Sequence, residues 1–328
     1  MADLAGAVLA RIYREYIREA IEVVRENRIE REKARLRRKV VSGILGRDMQ
    51  EALRESVRVA KSIVEEVRSA YARIGYRTVT IDFALKSRGL VGTSSGILHT
   101  IFEVGLEIDP ILGLPYYPAS TLKGAARAAC TLTLSGGQEG DIKEDYSRAC
   151  DLLFGRAGGF GVGHASLIVY SDAYPVGCLG GPCTIYMGDV ITPHYYKGGE
   201  TVEAEYEATP NPVVHLSIAD GTVFSTVVAS REAIDTREAE EAREKIQEWI
   251  ARNRGRQEAG VLENALNASR EHGLALVGAV FLVSAISSGL AARSGKGYNI
   301  GAPIPPEHVE KAHEAFLAEV RVVRVTTV

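Results

Sequence analysis

Cysteine is scarce in this chain: four in 328 residues (Cys130, Cys150, Cys178, Cys183), none in a CxxC pair, which removes the usual basis for a structural zinc site. Cys178 and Cys183 bracket Leu-Gly-Gly-Pro, a turn that can be bridged. With no secretion signal they read as thiols unless the source is a hyperthermophile, towards which the abundant Arg and Glu and few Gln and Asn lean. An excess of either charge is missing too. A net charge of -3 argues against a protein that coats nucleic acid non-specifically, so any polyanion site must be a local basic patch on an acidic body. Long hydrophobic runs are absent: Leu274 to Ile286 is too short to span a bilayer comfortably and reads as a core helix. The N-terminus breaks its apolar pattern with Arg11, Arg14 and Arg18, unlike a signal peptide or a transmembrane segment. A cytoplasmic location is the expectation.

The signatures of common chemistries are missing as well. There is no GxSxG, no HExxH and no Cys with a His nearby in sequence. Gly159, Gly161 and Gly163 lack GxGxxG spacing and lead into a strand, which argues against a dinucleotide site. No RNP1 run supports base stacking on a sheet face. His164, His215 and His272 stand singly. His194, beside Tyr195 and Tyr196 and near Asp189, is the best general acid–base candidate, set against a hydrogen-bonded structural histidine. No metal or cofactor is expected.

Against these absences stands one dense stretch, Gly289-Leu-Ala-Ala-Arg293-Ser294-Gly295-Lys296-Gly297-Tyr298. Glycines let backbone N–H groups press close to an anion, and Arg293 and Lys296 can hold it. It is not a P-loop, because the glycine spacing is one residue too long and Gly297 stands where a Mg²⁺-binding Ser or Thr belongs. A flexible surface turn is the competing reading. A second anion site is expected where Pro118 followed by Ser120 or Thr121 starts a helix. Free N–H groups, a hydroxyl cap and Lys123 would meet there, although an ordinary capped helix looks similar.

The remaining pattern is α+β. Residues 1–75 look wholly helical, with apolar stripes at Ile12, Tyr16, Ala20 and Val23 and at Leu53, Val57, Ala60, Ile63 or Val64, Val67 and Tyr71. Arg28, Arg31, Arg35 and Arg38 share a helix face that either tracks a nucleic-acid backbone or, the preferred reading, is solvated and laced with Glu26, Glu30 and Glu32. Val79, Ile81, Phe83 and Leu85 alternate with polar or small residues as a first strand. An apolar strand runs from Ala165 to Tyr170. Residues 212–219 and 222–228 are strand-like and separated by Asp220-Gly221, a hairpin signal. Helices are expected at about 234–250 and 258–271, then a last strand at Val320 to Val325. The order suggests helices on one face of an antiparallel sheet, most economically a βαββαβ unit.

Phe102-Glu103-Val-Gly105, the run Gly113-Leu-Pro-Tyr-Tyr-Pro118-Ala-Ser120-Thr-Leu122-Lys123-Gly124-Ala-Ala-Arg127, Leu153-Phe-Gly155, Ser171-Asp172-Ala173, Asp189 with Pro193-His194-Tyr195, and the C-terminal glycine loop occur in one order. That combination resembles the RAMP superfamily of CRISPR effector proteins, most closely its sixth subunits of the type III-B (Cmr) complex, over roughly residues 77–328. Ala291 departs from the family's second loop glycine. The resemblance implies a ferredoxin-like (RRM-like) RAMP fold with insertions over residues 76–328; the N-terminal helical region over residues 1–75 is an addition that carries none of the family's motifs. It further implies a non-catalytic subunit in antiviral defence that binds CRISPR RNA and target RNA and caps the backbone of an RNA-targeting effector. Its protein partners would be the repeated backbone subunit and the neighbouring cap subunit. Carried onto this chain, the RNA-binding residues would be Ser120, Lys123, Arg127, His194, Gly289, Arg293, Gly295, Lys296, Gly297 and Tyr298. The alternative within the same superfamily is a metal-independent endoribonuclease that processes CRISPR RNA, with His194 or Tyr195 as acid–base and Lys296 stabilising the developing charge.

Overall fold

The computed structural model describes residues 3–26, 29–92, 97–102, 104–135, 144–156, 163–179, 183–191, 196–197, 200–201, 213–232, 235–291, 295 and 297–303. The first quarter is helical as its stripes require: α1 (Ala5–Arg25), α2 (Ile29–Ile44) and α3 (Arg47–Arg73). Strand β1 (Arg77–Leu85) follows, then α4 (Ala119–Ser135) and α5 (Glu144–Phe154). Six strands come next: β2 (Ile168–Tyr170), β3 (Tyr174–Cys178), β4 (Tyr186–Ile191), β5 (Tyr196–Lys197), β6 (Glu200–Thr201) and β7 (Val213–Ile218). After β8 (Thr222–Ser230), the helices α6 (Thr236–Arg252), α7 (Gln257–His272) and α8 (Ala275–Ser288) lead to β9 (Gly301–Pro303).

The main sheet runs β2–β8–β1–β9, with β3 continuing β2 along the same side of β8, and every pairing is antiparallel. Counting β2 and β3 as one strand, this is the split βαββαβ order, with α4–α5 as the first crossover and α6–α8 as the second. The alternation in β1 places Val79, Ile81 and Phe83 in the core, where Phe83 is the register partner of Phe224 and their rings stack with centroids 5.6 Å apart. Helix α8 is buried along most of its length, as its apolar run demands. It packs on the Phe83 face: the Tyr170 hydroxyl donates to Gly278 O (2.9 Å), and a Cβ at Gly301 would lie 2.7 Å from Ile286. Trp249 of α6 donates its indole N–H to Leu134 O (2.9 Å), closing α6 over the end of α4.

Several expectations need correction. Asp220-Gly221 does form a turn, with Gly221 at φ +77°, but the flanking strands do not pair as a hairpin. β7 pairs with β4 in a separate two-stranded sheet, while β8 enters the main sheet. The reason is neighbour supply: β1 takes one edge of β8 and β2 with β3 take the other, which leaves no edge for β7. Nor are helices confined to one face. All nine residues of β8 are buried, including Val223, Ser225, Val227 and Ala229, which alternate away from Phe224. α3, which lies against β1, β3 and β8, supplies that second cover. The strand beside β1 is β9, whereas Val320 to Val325 lie outside the described residues. The cysteines are not thiols: Cys130 of α4 bonds Cys150 of α5, and Cys178 bonds Cys183, with Cα–Cα separations of 6.1 and 5.2 Å, inside the range that a disulfide spans.

The N-terminal helices are part of the common core. Ala5, Val8, Leu9, Ile44, Met49 and Leu53 belong to the same buried cluster as Phe83 and Phe281. The docking is close at one point: a Cβ on Gly6 would lie 2.3 Å from the carbonyl oxygens of both Pro110 and Ile111. On the exposed side, Arg35 pairs with Glu32 (2.5 Å) and Glu19 (3.7 Å), as a solvated face would; Arg28 and the Arg31 side chain lie outside the described residues. Replacing Gly6 with Val forces α1 off the 110–113 loop, and we expect a loss of about 2–4 kcal/mol in unfolding free energy by urea denaturation. An unchanged midpoint would show that α1 does not dock there.

Candidate nucleic-acid interface

The glycine loop is closed at its base by Asn299. Leu290 N–H donates to Asn299 O (3.0 Å), and Asn299 N–H donates to Arg88 O (2.8 Å). The side chain is fully buried. Its Oδ1 accepts from Leu90 N–H (2.6 Å) and from the Tyr117 hydroxyl (2.8 Å), and its Nδ2 donates to Leu90 O (2.8 Å). Asn299 takes φ +60°, a left-handed conformation that Asn tolerates better than most residues. Tyr117 stands two residues before α4 and 182 residues before Asn299. One hydrogen bond thus ties the opening of α4 to the glycine loop.

At that opening the sequence reading was partly wrong. The Ala119 N–H is not free; it donates to Asp172 Oδ1 (2.7 Å), while Pro118 O accepts from Thr121 and Leu122 N–H. A carboxylate from a distant segment therefore caps the helix, which the macrodipole favours. Ser120 lies inside the first turn and is exposed, as is Arg127, with Lys123 half-buried between them. Burial, then the charge of Arg127, holds the Lys123 ammonium below its ordinary pKa. Arg127 donates to Asp151 Oδ1 (2.8 Å).

In the glycine loop, Gly289 caps α8 at φ +106°, Gly297 sits at φ +85°, and Gly295 and Gly297 are exposed. Tyr298 donates its hydroxyl to Asp189 Oδ2 (2.8 Å), and burial, then that bond, raises its pKa. Asp189 is almost wholly buried and also accepts from the Arg88 guanidinium. Its register partner His215 places Nε2 3.8 Å from Oδ2. Arg293, Lys296, His194 and Tyr195 lie outside the described residues. Sequence reasoning missed Asn299 and Asp151; the signal for Asn299 was an Asn closing a glycine-rich loop, where a left-handed residue is needed.

A family profile, the RAMP superfamily, matches residues 91–289. The chain belongs to the RAMP superfamily. That match covers the opening of α4, the Asp172 cap, Asp189 and α8. The chain is also 29% identical over 168 residues to a Saccharolobus solfataricus protein described as CRISPR system CMR subunit Cmr6, and the match spans 51% of each, so about half the length of that curated relative. Among solved structures, a chain of the cryo-EM structure of the type III-B Cmr-beta bound to cognate target RNA matches with a TM-score of 0.55. It is 21% identical, over 85% of this chain and 75% of that one, a likeness of fold. The crystal structure of Cmr6 from Pyrococcus furiosus matches with 16% identity and a TM-score of 0.35, over 70% of this chain and 99% of that one, too loose a likeness to carry an argument. No helix among the described residues is long and apolar enough to cross a membrane.

Replacing Asn299 with Ala leaves Leu90 N–H, Leu90 O and the Tyr117 hydroxyl unpaired in a buried site, each at about 1–3 kcal/mol. We expect at least about 3 kcal/mol of lost stability by urea denaturation. A loss below about 1 kcal/mol would mean that water or a neighbouring group replaces the amide.

Proposed function

We propose that the chain is a non-catalytic CRISPR RNA-binding subunit of a type III-B (Cmr) effector complex, capping its filament of backbone subunits. The observation that supports this reading is the Tyr117–Asn299 hydrogen bond, which joins the residues just before α4 to the base of the glycine loop in a molecule of net charge -3. Membership of the RAMP superfamily and the identity shared with a Cmr6 protein support the assignment to that complex. In this reading the strand's phosphates lie against Ser120, Lys123 and Arg127 on one side. Gly289, Arg293, Gly295, Lys296, Gly297 and Tyr298 hold it on the other, with His194 nearby. The partners are CRISPR RNA and target RNA, the repeated backbone subunit and the neighbouring cap subunit, and the setting is cytoplasmic. Arg88 and Asp189 orient the Tyr298 hydroxyl from behind.

The test is incubation of the purified chain with repeat-containing RNA in the absence of metal. Binding that weakens with salt and leaves the RNA intact is expected. Site-specific cleavage, lost in His194→Ala, would replace the scaffold reading with an endoribonuclease; no salt-dependent binding would end both. Lys123→Glu is expected to weaken binding about tenfold, about 1.4 kcal/mol, while leaving the melting temperature in place, since a Glu there stands four residues before Arg127, a favourable pairing along a helix. A melting transition lost together with binding would contradict that. The double variant Arg293→Ala, Lys296→Ala is expected to flatten the slope of log affinity against log salt by about two. An unchanged slope would take the loop out of the RNA site.

A further inference from the structure

Helix α4 contains a glycine that packing does not require. Gly124 is exposed, and a Cβ built on it meets no heavy atom within 4 Å. The glycines at 6, 113 and 278 differ, since a Cβ there would strike backbone or side chain at 2.8 Å or less. Alanine would fit at 124 and stabilise the helix by about 1 kcal/mol. What glycine provides at this point is the absence of bulk. At 3.6 residues per turn, Ser120, Lys123, Gly124 and Arg127 share one face, a strip about 10 Å long. Gly124 is a notch in that strip, between a half-buried Lys123 and an exposed Arg127.

Charge around the notch is also unbalanced. Asp151, on α5, holds Arg127 on Oδ1 (2.8 Å) and Arg156 on Oδ2 (3.6 Å). Its side chain is 12% exposed, against 44% and 67% for the two arginines, so the carboxylate sits beneath and the guanidinium groups stand outward. Other arginines have acids of their own, as in Arg68 with Glu65 and Arg243 with Glu232. Here, among the described residues, Arg127 and Arg156 share the one carboxylate of Asp151, with Lys123 beside Arg127. Burial, and after it the nearby charge of Arg127, disfavours the Lys123 ammonium. An anion laid across the notch would favour it. The helix terminus is not the ligand site, because its first amide already binds Asp172.

We propose that this face of α4 is a groove for successive phosphates of single-stranded RNA, with Gly124 as its floor, Lys123 and Arg127 as one wall, and Arg156, placed by Asp151, as the other. The groove carries the strand away from the glycine loop towards α5. It rests on the RNA-binding reading above and adds a path, together with roles for Gly124, Asp151 and Arg156.

The test titrates labelled single-stranded repeat RNA against the full chain at several salt concentrations, for wild type, Gly124→Leu, Arg156→Ala and the remote control Arg58→Ala. Gly124→Leu is expected to melt at or above the wild-type temperature yet bind RNA about tenfold more weakly. Arg156→Ala is expected to lower the salt slope by about one, and Arg58→Ala to change neither. Wild-type affinity in a folded Gly124→Leu overturns the floor, and an unchanged slope in Arg156→Ala overturns the wall, with RNA binding itself intact. Should Gly124→Leu fail to fold, the Arg156→Ala slope decides. A wild-type chain that binds no RNA overturns this inference and the RNA-binding reading together.

Discussion

A buried amide cannot leave its donors and acceptor unpaired, and Asn299, through side chain and backbone together, reaches three separate stretches of chain. Water does not reach the site, so each polar atom must find a protein partner. Those partners are Arg88 and Leu90 beyond β1, Tyr117 before α4, and Leu290 at the start of the glycine loop. Satisfying one side chain and its backbone therefore sets where β1 exits, where α4 begins, and where both ends of the loop stand. Residue 299 must also accept a positive φ, which narrows the choice to Asn, Asp or Gly, and of these Asn alone brings the amide. The knot joins the residues just before α4 to both ends of the glycine loop.

Three carboxylates extend the same logic outward. Asp172 caps α4, Asp189 gathers Arg88 and Tyr298, and Asp151 gathers Arg127 and Arg156. A carboxylate out of water is costly unless partnered, so each draws donors from distant segments and holds them. Asp189 and Asp151 sit inside and their cations stand outside. In the reading we propose, this is how a molecule of net charge -3 offers cations to a polyanion.

The sheet takes no open part in such recognition. In many RNA-binding βαββαβ domains one sheet face is bare and bases stack on it. Here β8 is buried along its whole length and α3 lies against the strands, so the RNA contact we propose falls to helix faces and loops. The N-terminal helices close that face as well as enlarging the core, and the absence of an aromatic RNP1 run agrees with it.

Local pattern determined a good deal of this protein. The helical character of residues 1–75, the alternation in β1, the apolar α8 and the existence of β7 and β8 were legible, because periodicity records which side of an element is buried. The run from Gly113 to Arg127 and the glycine loop marked the candidate site for the same local reason: glycine and cation content is visible residue by residue. Pairing was not legible. That β7 leaves β8 for β4 depended on how many strands compete for the edges of β8, and that Cys130 meets Cys150 depended on how α4 lies on α5. Asp172, Asp151 and Asn299 act at separations of 53, 24 and 182 residues from the groups they bind. Their roles came from tertiary structure alone, since a buried polar atom chooses its partner by position in space, and sequence distance carries no record of that choice.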